Sequence, residues 1–341
     1  MTATAYVPPV DRHTEILARA RSVLDPVLRA AVATLPEPMQ RMAGYHFGWW
    51  DAEGVVIQGD SGKLLRPALA TSAAFACEGV PAEAAAAAAA VELIHNFTLI
   101  HDDVMDYDAM RHGRATVWRV WGLADAILAG DALHALATSV LTALLPPVTA
   151  MAAVERLEST VTEMCRGQHE DCHAGDAAGT VADWERMAMG KTGALFGCAC
   201  ALGALSAGAN DETVARFEHF GRDLGVAFQA VDDLLGIWGD PAASGKPTGD
   251  LARRKHSLPI VQALESGTDA GRELARLYDG DEPLSADQIA GAAVLVEQAG
   301  GRRGTQLEAA RRIRTAVAAL PAKSGCGDLI TLAQLVGHRN K

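Results

Sequence analysis

No CxxC pair, no block of basic residues, few aromatic rings and no apolar leader are found in this 341-residue sequence. Each absence removes a class of function. The six cysteines, Cys77, Cys165, Cys172, Cys198, Cys200 and Cys326, are scattered. With no CxxC pair to suggest zinc or dithiol redox chemistry, these read as reduced packing thiols. Aromatics make up 5% of the chain while alanine is abundant, a balance that favours closely packed helices over sheets. A net charge of −12 sets the surface as a whole against nucleic acid and anionic membranes. An anionic substrate must therefore meet a local basic patch. The opening "MTATAYVPPVDRH" has no basic region followed by an apolar core, and no later stretch reads as both long and uncharged enough to span a bilayer. A cytoplasmic protein is expected.

What is present is 49% hydrophobic content, enough for a large core. Helical periodicity runs through "RHTEILARARSVLDPVLRAAVATL", resumes at 66–77 and occupies a long segment at 81–106 opened by Pro81. Further helices are predicted over roughly 122–142, 147–171, 181–207, 211–238, 257–266, 285–299 and 303–319. "PEPMQRMAGYHFGWWDAEG" reads as broken by proline and glycine, and 239–256 as the longest polar loop. No repeat or composition shift divides the chain. The expected architecture is all-α: a flexible tail over 1–12, then one domain over 13–341, a bundle of about ten or more helices around a central cavity.

Two acidic stretches echo each other across that bundle. "FTLIHDD" at 97–103 and "FQAVDD" at 228–233 both end an apolar helix in an aspartate pair. On a helix Asp102 and Asp106 share a face, with Asp103 about 100° round. Such neighbours repel, and need either water or a counterion. Hard divalent cations supply the second, since magnesium takes one or two carboxylates and fills its other positions from water and phosphate. A single DDxxD is more simply a solvated helix end; Asp232 and Asp233 on a second helix favour a shared cavity. Cations surround both clusters: Lys63, Arg66, His95, Arg111, His112, Arg114, Lys191, Lys246, Arg253, Arg254 and Lys255. Singly each reads as a solvated side chain; together they suggest a diphosphate site with bridging metals.

In order along the chain stand "GKLLRP", "HNFTLIHDDVMD", "RHGRATVW", "RGQHED", "KTGALF", "FQAVDDLLGIWGD" and "GKPTGDLARRKHSLP". This series resembles the trans-isoprenyl diphosphate synthases, or polyprenyl synthetases, of the short-chain farnesyl and geranylgeranyl type, over nearly the whole length. The resemblance implies magnesium, three ions per site, held by Asp102, Asp106 and Asp232 with Asp103 and Asp233 in support. It implies an allylic diphosphate gripped by Arg111, Lys191, Lys246 and Lys255, with Thr192 and Gln229 near its head. Isopentenyl diphosphate would be held by Lys63, Arg66, His95, Arg111 and His112, and a homodimer is expected. Phe97 and Thr98, five and four residues before Asp102, occupy the positions that close the product tunnel in similar enzymes. One large ring beside a smaller neighbour suggests C15 or C20, with geranylgeranyl diphosphate favoured; the simpler fate of Phe97 is core packing.

The sequence departs from the family pattern at several places. His112 stands where a second arginine is usual, exchanging a permanent charge for a titratable one. Ala115 replaces a proline, and His256 a second lysine. "DDLLG" ends in Gly236 instead of an aspartate, and "GKPTGDL" is one residue short, which leaves Asp240, Asp250 and Arg254 without assigned roles. Two other readings follow from these departures. One is a terpene cyclase or atypical prenyl coupler on the same scaffold, suggested by His112 and opposed by Lys63, Arg66 and His95. The other is a non-catalytic regulatory subunit, suggested by Gly236 and opposed by the intact first cluster.

Overall fold

The computed structural model describes residues 11–57, 59, 62, 64–173, 179–239, 249–280, 284–322 and 324–338. Lys63, Lys246, Asp240 and the tail over 1–10 lie outside the described residues. The chain is all-α, as composition and periodicity imply.

Helices α1 (Arg12–Val32) and α2 (Glu37–His46) lead to α3 (Leu65–Ala76) and the long α4 (Pro81–Met105). A two-residue hairpin follows, β1 (Met110–Arg111) against β2 (Arg114–Ala115). Then come α5 (Val117–Trp121), α6 (Leu123–Leu144), α7 (Pro147–Cys172) and α8 (Val181–Ala188). A π-helical turn, Met189–Gly193, joins α8 to α9 (Ala194–Ser206), and α10 (Asp211–Trp238) follows. The C-terminal third contains α11 (Gly249–Ala252), α12 (Leu258–Glu265), α13 (Asp269–Tyr278), α14 (Ala286–Gln298), α15 (Gly301–Ala319) and α16 (Gly327–His338).

Five of these differ from the sequence reading. Pro36 and Pro38 do not break the chain; they flank Glu37 at the start of α2, where a missing N–H costs nothing. Helices α5 and α11 were not anticipated, α11 falling inside the stretch 239–256 that reads as a loop, and neither were α13 and α16. Their short amphipathic stripes become helical by packing: Leu274 and Leu329 are fully buried.

The alanine run of α4 is wholly interior. Ala84 to Ala90 are all buried, and the lack of side-chain bulk lets α3, α6 and α9 close around the helix. Helices α9 and α10 come closer still. A Cβ on Gly221 would stand 2.7 Å from the Cα of Gly197, so glycine is required for that approach. The main core is built around Leu69, Leu93, Ile100, Leu133, Leu157 and Phe217. A smaller cluster sets Ile237 of α10 on Leu251 of α11 and Leu274 of α13.

The expectation that no stretch is long and apolar enough to cross a bilayer needs correction. Among the described residues three helical spans meet that criterion by length and composition: Glu83–Met105, Leu123–Leu144 and Val181–Ser206. The first and third are mostly buried in the bundle, so core packing accounts for their apolar character. The second is less enclosed. Leu123, Ile127, Leu128 and Leu144 of α6 remain exposed, as do Val148 and Met151 at the start of α7.

Candidate active site at two acidic helix ends

Helix α4 stops at its acidic end by a tight capping turn. Tyr107 takes the left-handed conformation (φ 54°), and the Asp108 N–H donates to the Asp103 carbonyl at 3.0 Å. That is the six-to-one bond of a Schellman cap. The chain then enters the β1–β2 hairpin, whose turn residues His112 and Gly113 both have positive φ (49° and 74°). Two such residues match the twist of the flanking strands.

The hairpin carries Arg111 back onto α4. Its Nε donates to both oxygens of buried Asp103, at 2.9 and 3.0 Å, and Nη2 lies 2.7 Å from Oδ1. Burial opposes the guanidinium's charge, but Asp103 outweighs it and raises the Arg111 pKa. Arg114 donates to the carbonyls of Tyr45 (2.7 Å) and His46 (3.3 Å), which joins α2 to the hairpin. Asp102 has no such guanidinium clamp. Burial pushes its pKa up, Lys191 opposes this and neighbouring Asp106 adds to it. A half-buried, desolvated carboxyl beside a second acid is an environment that a divalent cation would relieve.

On one side of this helix end lies a pocket rich in nitrogen donors. Arg66 Nη1 is 3.0 Å from His95 Nε2, and its guanidinium covers the Phe196 ring. His46, Asp103, Arg111, His112 and Arg114 line the adjoining cleft. Burial, then the fields of Arg66 and Arg111, hold His95 well below its ordinary pKa. His46 falls to about 3 from burial and from Arg111 and Arg114. Both rings are therefore neutral acceptors-or-donors beside permanent cations. His112, exposed at the turn tip, belongs to the same cluster as Arg66, His95 and Arg111.

On the other side Lys191 leaves the π-helical turn. Gly167 of α7 permits that turn to approach, since its Cβ would lie 2.7 Å from the Gly190 carbonyl carbon. Lys191 Nζ is 2.6 Å from Asp171 Oδ2 and Lys255 Nζ is 3.2 Å from Asp171 Oδ1. Burial would raise the Asp171 pKa, but Lys255 and Lys191 together bring it below the ordinary value. Burial likewise disfavours the Lys255 charge, and Asp171, Asp233 and Asp250 overcome it and raise its pKa.

The second acidic pair, at the far end of α10, divides its duties. Asp232 is half-buried, while Asp233 is buried and accepts from Trp184 Nε1 (2.7 Å), Gln229 Nε2 (2.9 Å) and the Leu258 N–H (2.9 Å). Burial nonetheless pushes the Asp233 pKa up to about 6. Gln229 in turn accepts from Thr192 Oγ1 at 2.7 Å. Thr192 and Gln229 therefore form one relay with Asp233.

The two helix ends are linked by one network of charges. Asp102 feels Lys191 and Asp171, and Asp171 binds the same Lys255 that feels Asp233 and Asp250. Arg253 closes the rim by donating to Asp108 Oδ1 at 2.7 Å. Phe97 is buried against α6, stacked on His134 at 5.2 Å and edge-on to His101 at 4.8 Å. Thr98 bonds back to the His95 carbonyl. Among the described residues no three acidic, histidine or cysteine side chains enclose a cation by themselves. Sequence reasoning missed Asp171, although it lies in the "RGQHED" stretch, and missed His46, Asp108 and the bridging role of Arg253. Their partners are 20 to 145 residues away, and no local spacing encodes such pairs.

The polyprenyl synthetase family matches residues 54–295. A geranylgeranyl diphosphate synthase of Mycobacterium tuberculosis is 52% identical over 333 residues, covering 97% of this chain and 95% of its own. A (2E,6E)-farnesyl diphosphate synthase of Mycobacterium bovis is 42% identical over 90% of this chain and 88% of its own. Among solved structures, a polyprenyl synthetase from Streptomyces coelicolor superposes with a TM-score of 0.89 at 44% identity, covering 95% of this chain and 99% of that one. The chain belongs to the polyprenyl synthetase family.

Proposed function

We propose that this protein is a short-chain trans-prenyltransferase that joins isopentenyl diphosphate head-to-tail to an allylic diphosphate. Geranylgeranyl diphosphate is the favoured product and farnesyl diphosphate the next. The observation that carries the reading is the charge bridge Lys191–Asp171–Lys255 that links the surroundings of the two acid-tipped helices, with a basic pocket lined by His46, Arg111, His112 and Arg114 beside Asp103. The greater identity to a geranylgeranyl than to a farnesyl synthase supports the longer product.

Asp102, Asp106 and Asp232 present hard oxygen donors, and burial, with Asp106 adding to it, raises the Asp102 pKa against the pull of Lys191. This donor set fits magnesium, and Asp102, Asp106 and Asp232 would hold it, as three ions if the site follows the family pattern. When bound, magnesium supplies Lewis-acid stabilisation of the leaving diphosphate. Lys191, Lys255 and, from sequence, Lys246 hold the allylic diphosphate and spread the charge that grows as its carbon–oxygen bond breaks. Arg66, His95, Arg111 and His112, with Lys63 from sequence, orient isopentenyl diphosphate so that its double bond faces the allylic carbon. A carbon–carbon bond forms there and a proton is lost to the departed diphosphate. Asp103 and Asp233 support the site by fixing Arg111 and the Thr192–Gln229 relay. The apolar face of α4 that includes Phe97 keeps water from the cation and limits chain growth.

The exposed apolar residues of α6 and α7 support a homodimer covering that face, and six cysteines with no CxxC pair among them suit a reducing cytoplasm. The decisive experiment incubates the purified protein with magnesium, isopentenyl diphosphate and each allylic primer in turn, and reads product length by mass spectrometry. C20 diphosphate is expected. Hydrocarbon from farnesyl diphosphate alone would mean a cyclase, and no turnover by the isolated protein would mean a subunit that needs a partner.

A further inference from the structure

Gly236 lies four residues after Asp232 on α10, one helical turn along the same face. Its backbone is helical, with no positive φ that would call for glycine. Glycine is a poor helix former, so its presence inside a 28-residue helix needs another reason. The surroundings supply one. A Cβ on Gly236 would collide with Asp250 Oδ2 and stand 2.8 Å from Asp250 Cγ. The carboxylate of Asp250 occupies the space a side chain at 236 would enter.

Asp250 is held in that place by α11. Leu251 is buried beside Ile237 of α10, which docks the short helix. Its end is a second Schellman cap: Arg254 is left-handed (φ 49°), Arg254 N–H donates to the Leu251 carbonyl (3.1 Å) and Lys255 N–H to the Asp250 carbonyl (2.8 Å). The cap brings Asp250 and Lys255 to the same cleft, where Lys255 meets Asp171. Arg253 ties the segment to Asp108.

We propose that Asp250 is the third carboxylate of the α10 acidic motif, delivered across space to the place left open by Gly236, and that the two positions form an exchangeable pair serving the metal–diphosphate site. This rests on the function proposed above. It turns an apparent defect of the sequence into a relocated ligand: direct or through water, the carboxylate acts one turn from Asp232 without coming from α10.

The test measures thermal stabilisation by inorganic pyrophosphate as magnesium is titrated, alongside turnover. Wild type, Asp250→Ala, Gly236→Asp and the exchange variant Gly236→Asp/Asp250→Gly are compared. Asp250→Ala should keep its melting temperature without ligand but need about tenfold more magnesium for half-maximal stabilisation. Gly236→Asp, with two carboxylates in one space, should melt lower and also respond weakly to magnesium. The exchange variant should recover a magnesium midpoint close to wild type, and turnover with it. An unchanged midpoint in Asp250→Ala, or an exchange variant no better than the two single changes combined, would overturn the inference. Should the exchange variant fail to fold, the Asp250→Ala midpoint decides alone. A wild-type protein with no magnesium-dependent stabilisation by pyrophosphate would instead overturn the metal site itself, and with it both readings.

Discussion

The acidic ends of α4 and α10 look alike in sequence and are built differently. In each, the second aspartate of the pair is buried and consumed by the scaffold: Asp103 by Arg111, Asp233 by Trp184, Gln229 and the Leu258 N–H. In each, the first aspartate is only half-buried. The ends differ in how the set is completed. Asp106 finishes the α4 motif one turn beyond Asp102 on the same helix, whereas α10 has Gly236 at that place and receives the Asp250 carboxylate from α11. One motif is local, and its repulsion is built into a single helix end. The other depends on the docking of a separate segment, so its geometry can fail without any change in α10.

The sharpest way to break the comparison is to separate chemistry from scaffold at α4. Asp102→Ala should lower turnover by about a thousandfold, the scale of losing a group that stabilises transition-state charge. Its melting temperature without metal should be equal to or above wild type, because a half-buried, desolvated acid beside Asp106 is removed. Asp103→Ala should lower both, since Arg111 then loses its bidentate partner. Steady-state kinetics and thermal melting on the two variants check this. Near-normal turnover in Asp102→Ala would end the assignment of that carboxylate.

At α10 the same division predicts an effect on stability. Asp233→Ala strands three buried N–H donors, at a cost of about 3 kcal/mol. Asp232→Ala should cost at most about 1 kcal/mol while abolishing turnover. Urea titration of both proteins without metal measures the difference. Equal losses would mean that the two aspartates do not divide their roles as the hydrogen bonds indicate.

What the sequence revealed follows the range of the interactions. Motifs carried on one helix were legible: Asp102 and Asp106 share a face by spacing alone, and Pro81 opens the helix that bears them. The all-α class was legible from alanine content and periodicity. Gly236 could only be read as a missing acid, because Asp250 reaches it through a tertiary contact. Asp171 had no spacing signal, its lysine partners being 20 and 84 residues away. Prolines 36 and 38 suggested a break where they start α2, an ambiguity that only position within a helix resolves. The long apolar helices were misjudged for bilayer length because burial within the bundle, not composition, distinguishes a core helix from a span.

The smallest expected effect concerns the cations rather than the acids. Beside α4 the pocket includes His46 and His95, both with depressed pKa values; on the α10 side Asp171, Asp233 and Asp250 raise the Lys255 pKa, and half-buried His256 is depressed by burial. A folded pKa below the unfolded one means that the unfolded chain takes up protons first as pH falls. These histidines therefore contribute stability that is present above about pH 6.5 and is lost progressively below it, for His46 down to about 3. Between pH 7 and 5.5 the metal-free protein should lose about 2 kcal/mol, and His46→Gln should reduce that loss by about 1 kcal/mol. Melting or urea curves at the two pH values decide it. An unaltered pH dependence in His46→Gln would mean that its ring is not kept neutral by Arg111 and Arg114, and that the pocket beside α4 is better hydrated than its packing implies.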